Sequence, residues 1–168
     1  MTFRGRVWRH VPVGKEPLHL GAILKAGLGR WNIVSPRLPC LYTALDPRGA
    51  IAEFEKHQTE FAAHAERDLV SLDVEVQQVL NLTDVATCRR MGIDPLALIG
   101  DSPSDLAACR DAALRSTSNG GSAILAPSAA LPGAANLMIY LDSTQGIVSI
   151  YNGPDRVRIR TGFTWPPP

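Results

Sequence analysis

The stretch Leu45–Leu82, LDPRGAIAEFEKHQTEFAAHAERDLVSLDVEVQQVLNL, sets a helix directly against a strand, and that junction decides the fold class. Asp46 is placed as a helix N-cap, where a carboxylate accepts from the free N–H groups of the first turn. Pro47 follows at the first helical position, where its missing N–H costs nothing. Ile51, Phe54, Gln58 and Phe61 then recur at helical spacing and mark one mostly apolar face. After Leu69 the period becomes two: Val74 and Val76 alternate with Asp73, Glu75 and Gln77. The helix pattern is therefore followed by a half-buried strand.

Working outward, GRVWRHV (Gly5–Val11) predicts a first strand. PLHLGAILKAGLG (Pro17–Gly29) places Leu18, Ala22 and Lys25 at roughly helical spacing and predicts a short helix stopped by glycine. PCLYTAL (Pro39–Leu45) reads as a short buried strand. Downstream, LTDVATCRRMG and SPSDLAACRDAALRST each carry capping residues ahead of a helical pattern. The uncharged segment Ser116–Leu141 is broken by glycine and proline, so it predicts buried strands with a connecting loop, not a membrane span. SAILA, NLMIYL, GIVSIY and RVRIR complete the chain as short strands, and TWPPP is expected to be extended or frayed. Helices and strands mix without regular βα alternation. The expected fold is α+β, a single domain over residues 1–168 around a mixed or antiparallel sheet.

Composition narrows the functional classes. The chain is 45% hydrophobic and 20% charged, ordinary for a globular protein. A net charge of +1 argues against a nucleic-acid partner, which usually demands a clear basic excess. Cys40, Cys88 and Cys109 form no CxxC pair, so reduced thiols and a cytoplasmic location are expected. The opening MTFRGRVWRH has no apolar core of a secretory signal.

Three motifs invite chemistry and fall short. IGDSPSDL (Ile99–Leu106) contains Gly-Asp-Ser, but no histidine follows it, and Ser102 or Ser104 suits a helix cap. Glu53, His57 and His64 share a helix side, but nothing completes a metal shell, so no metal is expected. GLG before Arg30 is neither a dinucleotide fingerprint nor a phosphate loop. Glu53 stands off the Ile51/Phe54/Phe61 stripe, which suits either a solvated surface or a cleft. Taken singly, Arg30 reads as a surface cation, Trp31 and Tyr42 as core aromatics, and Ser128 as a turn serine.

In combination they resemble the RES domain, the toxin half of a bacterial toxin–antitoxin pair. VWRHVP is similar to the family's opening strand with its arginine, here Arg9. GRWN (Gly29–Asn32) is similar to the block that usually reads Gly-Gly-Arg-Trp-Asn, with Leu28 replacing one glycine. CLYTALDPRGAIAEFEKH resembles the tyrosine strand and glutamate helix, with Tyr42 and Glu53 in place. LDVEVQQVLNLTD and GGSAILAPSAALPGAANLMIYLD resemble the mid-chain strand and the serine block, with Ser128 in place. The likeness runs from about Arg4 to Arg160, and Leu98–Gly121 is the segment without a close match.

The resemblance implies an ADP-ribosyltransferase-like fold that consumes NAD+ as substrate, with no prosthetic group, and a helix-turn-helix antitoxin partner. It implies Glu53, Arg30 and Tyr42 as catalytic residues, and Arg9, Arg30, Trp31, Tyr42 and Ser128 as dinucleotide contacts. Cleavage of the nicotinamide–ribose bond, by hydrolysis or phosphorolysis, is the expected reaction. Mono-ADP-ribosyl transfer to a protein and a non-enzymatic binding domain are the alternatives. Oligomeric state is left open.

Overall fold

The computed structural model describes residues 1–20, 29–34, 37–57, 66–141 and 148–166. The helix expected around Ala22 and Lys25 lies outside these residues, as do Gln58, Phe61 and His64. In chain order the described elements are β1 (Phe3–Pro12), β2 (Ile33–Val34), β3 (Arg37–Leu38), β4 (Cys40–Ala44) and α1 (Pro47–Lys56). They continue with β5 (Arg67–Val76), β6 (Val79–Asn81), α2 (Val85–Met91), a 3-10 turn (Pro95–Leu98) and α3 (Pro103–Ser118). Three strands close the fold: β7 (Ala123–Pro127), β8 (Ala135–Tyr140) and β9 (Val148–Ile159).

Seven strands form one mixed sheet in the order β6-β7-β8-β4-β1-β5-β9, and β2 with β3 makes a separate ribbon. Among the described residues only β6 and β7 pair in parallel; the other pairs of the sheet are antiparallel. The α+β expectation holds. One junction differs from the rest. β1 pairs with β5 along its whole length, Phe3↔Val76 to Pro12↔Arg67, but meets β4 at Trp8↔Ala44 alone. The sheet is thus two halves joined at a narrow seam.

Helix α1 covers that seam. Asp46 caps it, its carboxylate accepting from the Arg48 N–H at 2.7 Å, and Pro47 opens it. The helix is capped at His57, so it is shorter than the apolar period through Phe61 suggests. Ala50, Ile51 and Phe54 pack with Trp8, Ala44, Leu69 and Ile159, which come from both halves of the sheet. A second cluster lies under α2 and α3 on the β7–β8–β4 half, around Ile124, Met138, Tyr140 and Trp31. A third, with Val7, Leu41, Leu72, Leu137 and Ile139, fills the opposite sheet face.

The final strand departs from the expected pair GIVSIY and RVRIR: β9 is continuous. Its pairing with β5 steps from Val70↔Arg156 to Leu72↔Asn152, so Gly153, Pro154 and Asp155 stand opposite Ser71. The bulge absorbs the proline. Ser71 Oγ donates to Asp155 Oδ2 at 2.9 Å and accepts from the Asp155 N–H at 3.1 Å. A side chain at Gly153 would collide with Ser71, so glycine is required there. Helix α3 begins with a capping box between Ser102 and Asp105, so of the two serines expected to cap it Ser102 does so, and it runs on into the uncharged segment as far as Ser118. Among the described residues no helix is long and apolar enough to cross a membrane.

Phe54 is fully buried at the seam. Phe54→Ala should cost about 3–5 kcal/mol, read as a lower urea midpoint at unchanged m-value. A loss below about 1 kcal/mol would show that α1 does not hold the two halves.

Candidate active site

Glu53 projects from the flank of α1 toward the ends of β7 and β8. Asn136 Nδ2 donates to its Oε1 at 2.7 Å, and Ser128 Oγ donates to the same oxygen at 3.2 Å. His57 Nε2, one turn on, lies 3.6 Å from Oε2. A quarter of the Glu53 side chain stays exposed, so the carboxylate is neither sealed nor free in solvent. Burial alone would push this carboxyl up. The hydrogen bonds from His57, Asn136 and Ser128, with the charge of His57, outweigh it and hold the group below its ordinary value. Glu53 is therefore ionised at neutral pH.

Ser128 is buried and does two jobs. Its Oγ also accepts from the Ala130 and Leu131 N–H groups at 3.2 and 3.1 Å, which shapes the β7–β8 loop. The turn role and the contact with Glu53 coexist in one hydroxyl. Asn136 was not singled out by sequence reasoning. Its signal is a polar side chain in the otherwise apolar run ANLMIY. Its Oδ1 is buried without a hydrogen-bond partner among the described residues, a cost that native sites tolerate for a reason.

The Gly29–Asn32 turn is fastened from below by two phenols. The Trp31 N–H donates to Tyr42 Oη at 2.8 Å, and that hydroxyl donates to Asn32 Oδ1 at 2.7 Å. The Tyr140 hydroxyl donates to the Trp31 carbonyl at 3.0 Å. A Cβ on Gly29 would strike Tyr42 Oη and Asn32 Oδ1, so the turn needs glycine for close approach rather than for its dihedral angles. Burial keeps the Tyr42 phenol well above its ordinary value, hence protonated. Tyr42 pairs with Met138 and Ala44 with Asn136, which sets Tyr42 and Asn136 on one sheet face.

The turn delivers Arg30 to the loop before α3. Its Nη1 donates to the Gly100 carbonyl at 2.5 Å, and its Nη2 pairs with Asp101 Oδ1 at 2.6 Å. Lys56, on α1 beside Glu53, pairs with Asp101 Oδ2 at 2.9 Å and donates to the Ala129 carbonyl at 3.3 Å. Asp101 thus links the arginine of the turn to the glutamate helix and the serine loop. Lys56 and Asp101 were missed by sequence reasoning, which saw only a helix cap in GDSPSD.

The structure places two further residues expected as dinucleotide contacts, Trp31 and Arg9, in other surroundings. Trp31 is 3% exposed, among Cys40, Cys109, Met138 and Tyr140, so its indole belongs to the core. Its backbone, not its ring, serves the turn. Arg9 lies between Trp8 and His10, whose rings face α1, so strand alternation turns it to the opposite sheet face, beside Val70. There it donates to the Pro17 and His19 carbonyls at 2.7 and 3.0 Å. Burial, helped by the charge of Arg67, pulls its guanidinium down to about 10. Arg9 is a buried clamp on the segment after β1. Glu53, Ser128, Arg30 and Tyr42 do share one region, joined through Lys56, Asp101 and the Gly29–Asn32 turn.

The family model described as RES domain matches residues 6–158. A probable NAD(+) phosphorylase of Mycobacterium tuberculosis is 29% identical over 172 residues, covering 99% of this chain and 75% of its own length. A chain in the crystal structure of the M. tuberculosis MbcT–MbcA toxin–antitoxin complex superposes with a TM-score of 0.68 at 19% identity. That match covers 90% of this chain and 85% of the other, and it speaks for the fold.

His10 borders the site, its ring 5.5 Å from Phe54 and its Nδ1 accepting from Arg67 Nε at 3.3 Å. Burial first, then the charge of Arg67, takes it down to about 3. The unfolded chain binds this proton near pH 6.5 while the folded chain does not, so stability falls as pH drops from about 6.5 toward 3. Urea titrations at pH 7 and pH 5 should show wild type losing about 2 kcal/mol more than His10→Gln over that interval. Equal losses would refute a His10 held neutral by the fold.

Proposed function

The chain belongs to the RES domain family, and on that premise we propose that it cleaves NAD+ at the nicotinamide–ribose bond, with inorganic phosphate as the favoured acceptor. The observation that carries this reading is the ionised, partly exposed Glu53 carboxylate held by Ser128 and Asn136. The acceptor follows the probable NAD(+) phosphorylase to which the chain is similar.

The chemistry suits these groups. Nicotinamide leaves as a neutral molecule, because the C1–N bonding pair returns to a ring nitrogen that was already cationic. Departure needs no acid, but positive charge moves onto the ribose. Glu53 lies beside that sugar and stabilises the cation, as carboxylates do in other glycosyl transfers. A phosphate oxygen then forms the new C1–O bond and gives ADP-ribose 1-phosphate; water in its place gives ADP-ribose and a proton. Ser128 and Asn136 fix the orientation of the carboxylate. Arg30 supplies a planar fork for the diphosphate. Tyr42 holds the Gly29–Asn32 turn through its hydroxyl and offers its ring to the nicotinamide, a contact of about 0.5–2 kcal/mol for a cationic ring. Trp31 and Arg9 contribute through the core and the backbone rather than by touching the dinucleotide.

The MbcT–MbcA complex to which the fold is similar is a toxin–antitoxin pair. The reading therefore includes a neutralising antitoxin, of the helix-turn-helix type, and action in the cytoplasm, where the NAD+ pool lies. Residues 1–168 act as one domain.

Purified protein incubated with NAD+ should release nicotinamide, and mass spectrometry should find ADP-ribose 1-phosphate when phosphate is present. Glu53→Gln should lower the rate on the order of 10²–10³-fold with an unchanged circular dichroism spectrum. Full activity in that variant would remove the carboxylate from the mechanism. Transfer of label from NAD+ to lysate proteins, without free product, would favour ADP-ribosyl transfer instead.

A further inference from the structure

Asp101 occupies two cations at once. Its side chain is 64% exposed, yet it takes Arg30 Nη2 at 2.6 Å and Lys56 Nζ at 2.9 and 3.1 Å through its two oxygens. Both cations are more enclosed than their partner, Arg30 at 13% and Lys56 at 30% exposure. They come from distant parts of the chain, the Gly29–Asn32 turn and α1, and they converge from two sides on one small anion. Lys56 sits three residues from Glu53 and reaches the Ala129 carbonyl, next to Ser128. A pair of fixed cations beside the catalytic carboxylate, filled by an exposed side chain of the same molecule, has the form of an anion subsite with an internal occupant.

We propose that Lys56 and Arg30 form a phosphate oxyanion subsite and that Asp101 is its resident anion in the free protein, exchanged for ligand phosphate on binding. The inference deepens the NAD+ reading and rests on it. Charge and geometry favour the exchange. A phosphate group presents more charge and more acceptor oxygens than a carboxylate, and it meets the arginine fork bidentately. The carboxylate being displaced is exposed, so its ion pairs are weak and its return to water is cheap. While it stays, Asp101 also neutralises two enclosed cations that would otherwise repel each other. The same subsite suits either the diphosphate of the dinucleotide or an inorganic phosphate co-substrate.

The exchange fixes the sign of a simple measurement. A structural ion pair weakens binding when broken, whereas an internal competitor strengthens it. Calorimetry should use ADP as the diphosphate probe and inorganic phosphate as the co-substrate probe. Asp101→Asn should tighten one of them by about three- to tenfold, the scale of two exposed ion pairs. Asp101→Ser should show the same sign, which guards against an effect of one side chain. Lys56→Gln should weaken the same probe, and in its background the gain from Asp101→Asn should shrink. A gain for ADP alone places the diphosphate in the subsite; a gain for phosphate alone places the co-substrate there. Unchanged or weaker binding of both probes in both Asp101 variants overturns the proposal. If that happens in a protein that still releases nicotinamide from NAD+, the exchange fails and the functional reading stands. Tightening in a protein that releases none leaves the subsite standing and removes the NAD+ reading.

Discussion

The molecule depends on one helix spanning a weak seam. β1 and β4 share a single paired position, Trp8↔Ala44, so backbone hydrogen bonding alone cannot hold the two halves of the sheet in a fixed relation. Phe54 and Ile51 supply what the ladder lacks, packing on Trp8 and Leu69 from one half and Ala44 from the other. Apolar burial is non-directional, so a helix wedged over the seam can tie strands that do not pair. Glu53 rides on that same helix. The residue that fixes the architecture and the residue proposed for chemistry are therefore neighbours on one rigid element, and the carboxylate inherits its position from the packing of Phe54.

Around that carboxylate, polar groups are arranged in a consistent order of charge. Asn136 and Ser128 donate to it from the sheet side, and His57 approaches from its own helix. Lys56 and Arg30 gather instead on Asp101. The site thus separates the Glu53 carboxylate from the two cations gathered on Asp101. Such separation suits the proposed substrate, which is cationic at one end and anionic in the middle.

Local signals in the sequence were read well, and long-range ones were not. Asp46–Pro47 announces the start of α1 because capping involves neighbouring residues. A helix cap at Ser102 or Ser104 was legible for the same reason, though not that Ser102 forms a box with Asp105. The end of α1 was not, since the apolar period continues past His57 where the helix stops. Gly153–Pro154 looked like a break between two strands, but the facing Ser71 turns it into a bulge within β9. Periodicity placed Glu53 off the core stripe and could say no more, because what it faces is decided by Asn136 and Ser128, far along the chain. The carboxylate, serine and turn arginine named by the family resemblance come together in one region. The resemblance could not tell that Arg9 points to the other face or that Trp31 is core, since both depend on the register and depth of strands. Asp101 sat in the one segment without a match, and its partners Lys56 and Arg30 are remote in sequence.

Strand β9 forms one border of the sheet, and its charges bear on how the protein behaves in a crowded cell. Arg156 and Arg158 both reach back to Asp68, a carboxylate whose side chain is only 5% exposed, and Arg158 also meets Glu66. Long charged side chains along an outer strand discourage a second chain from adding itself to the open ladder. The bulge at Gly153–Asp155 adds to this by interrupting the regular row of donors and acceptors that an incoming strand would have to match. A fold with a twelve-residue border strand thereby guards itself against edgewise aggregation.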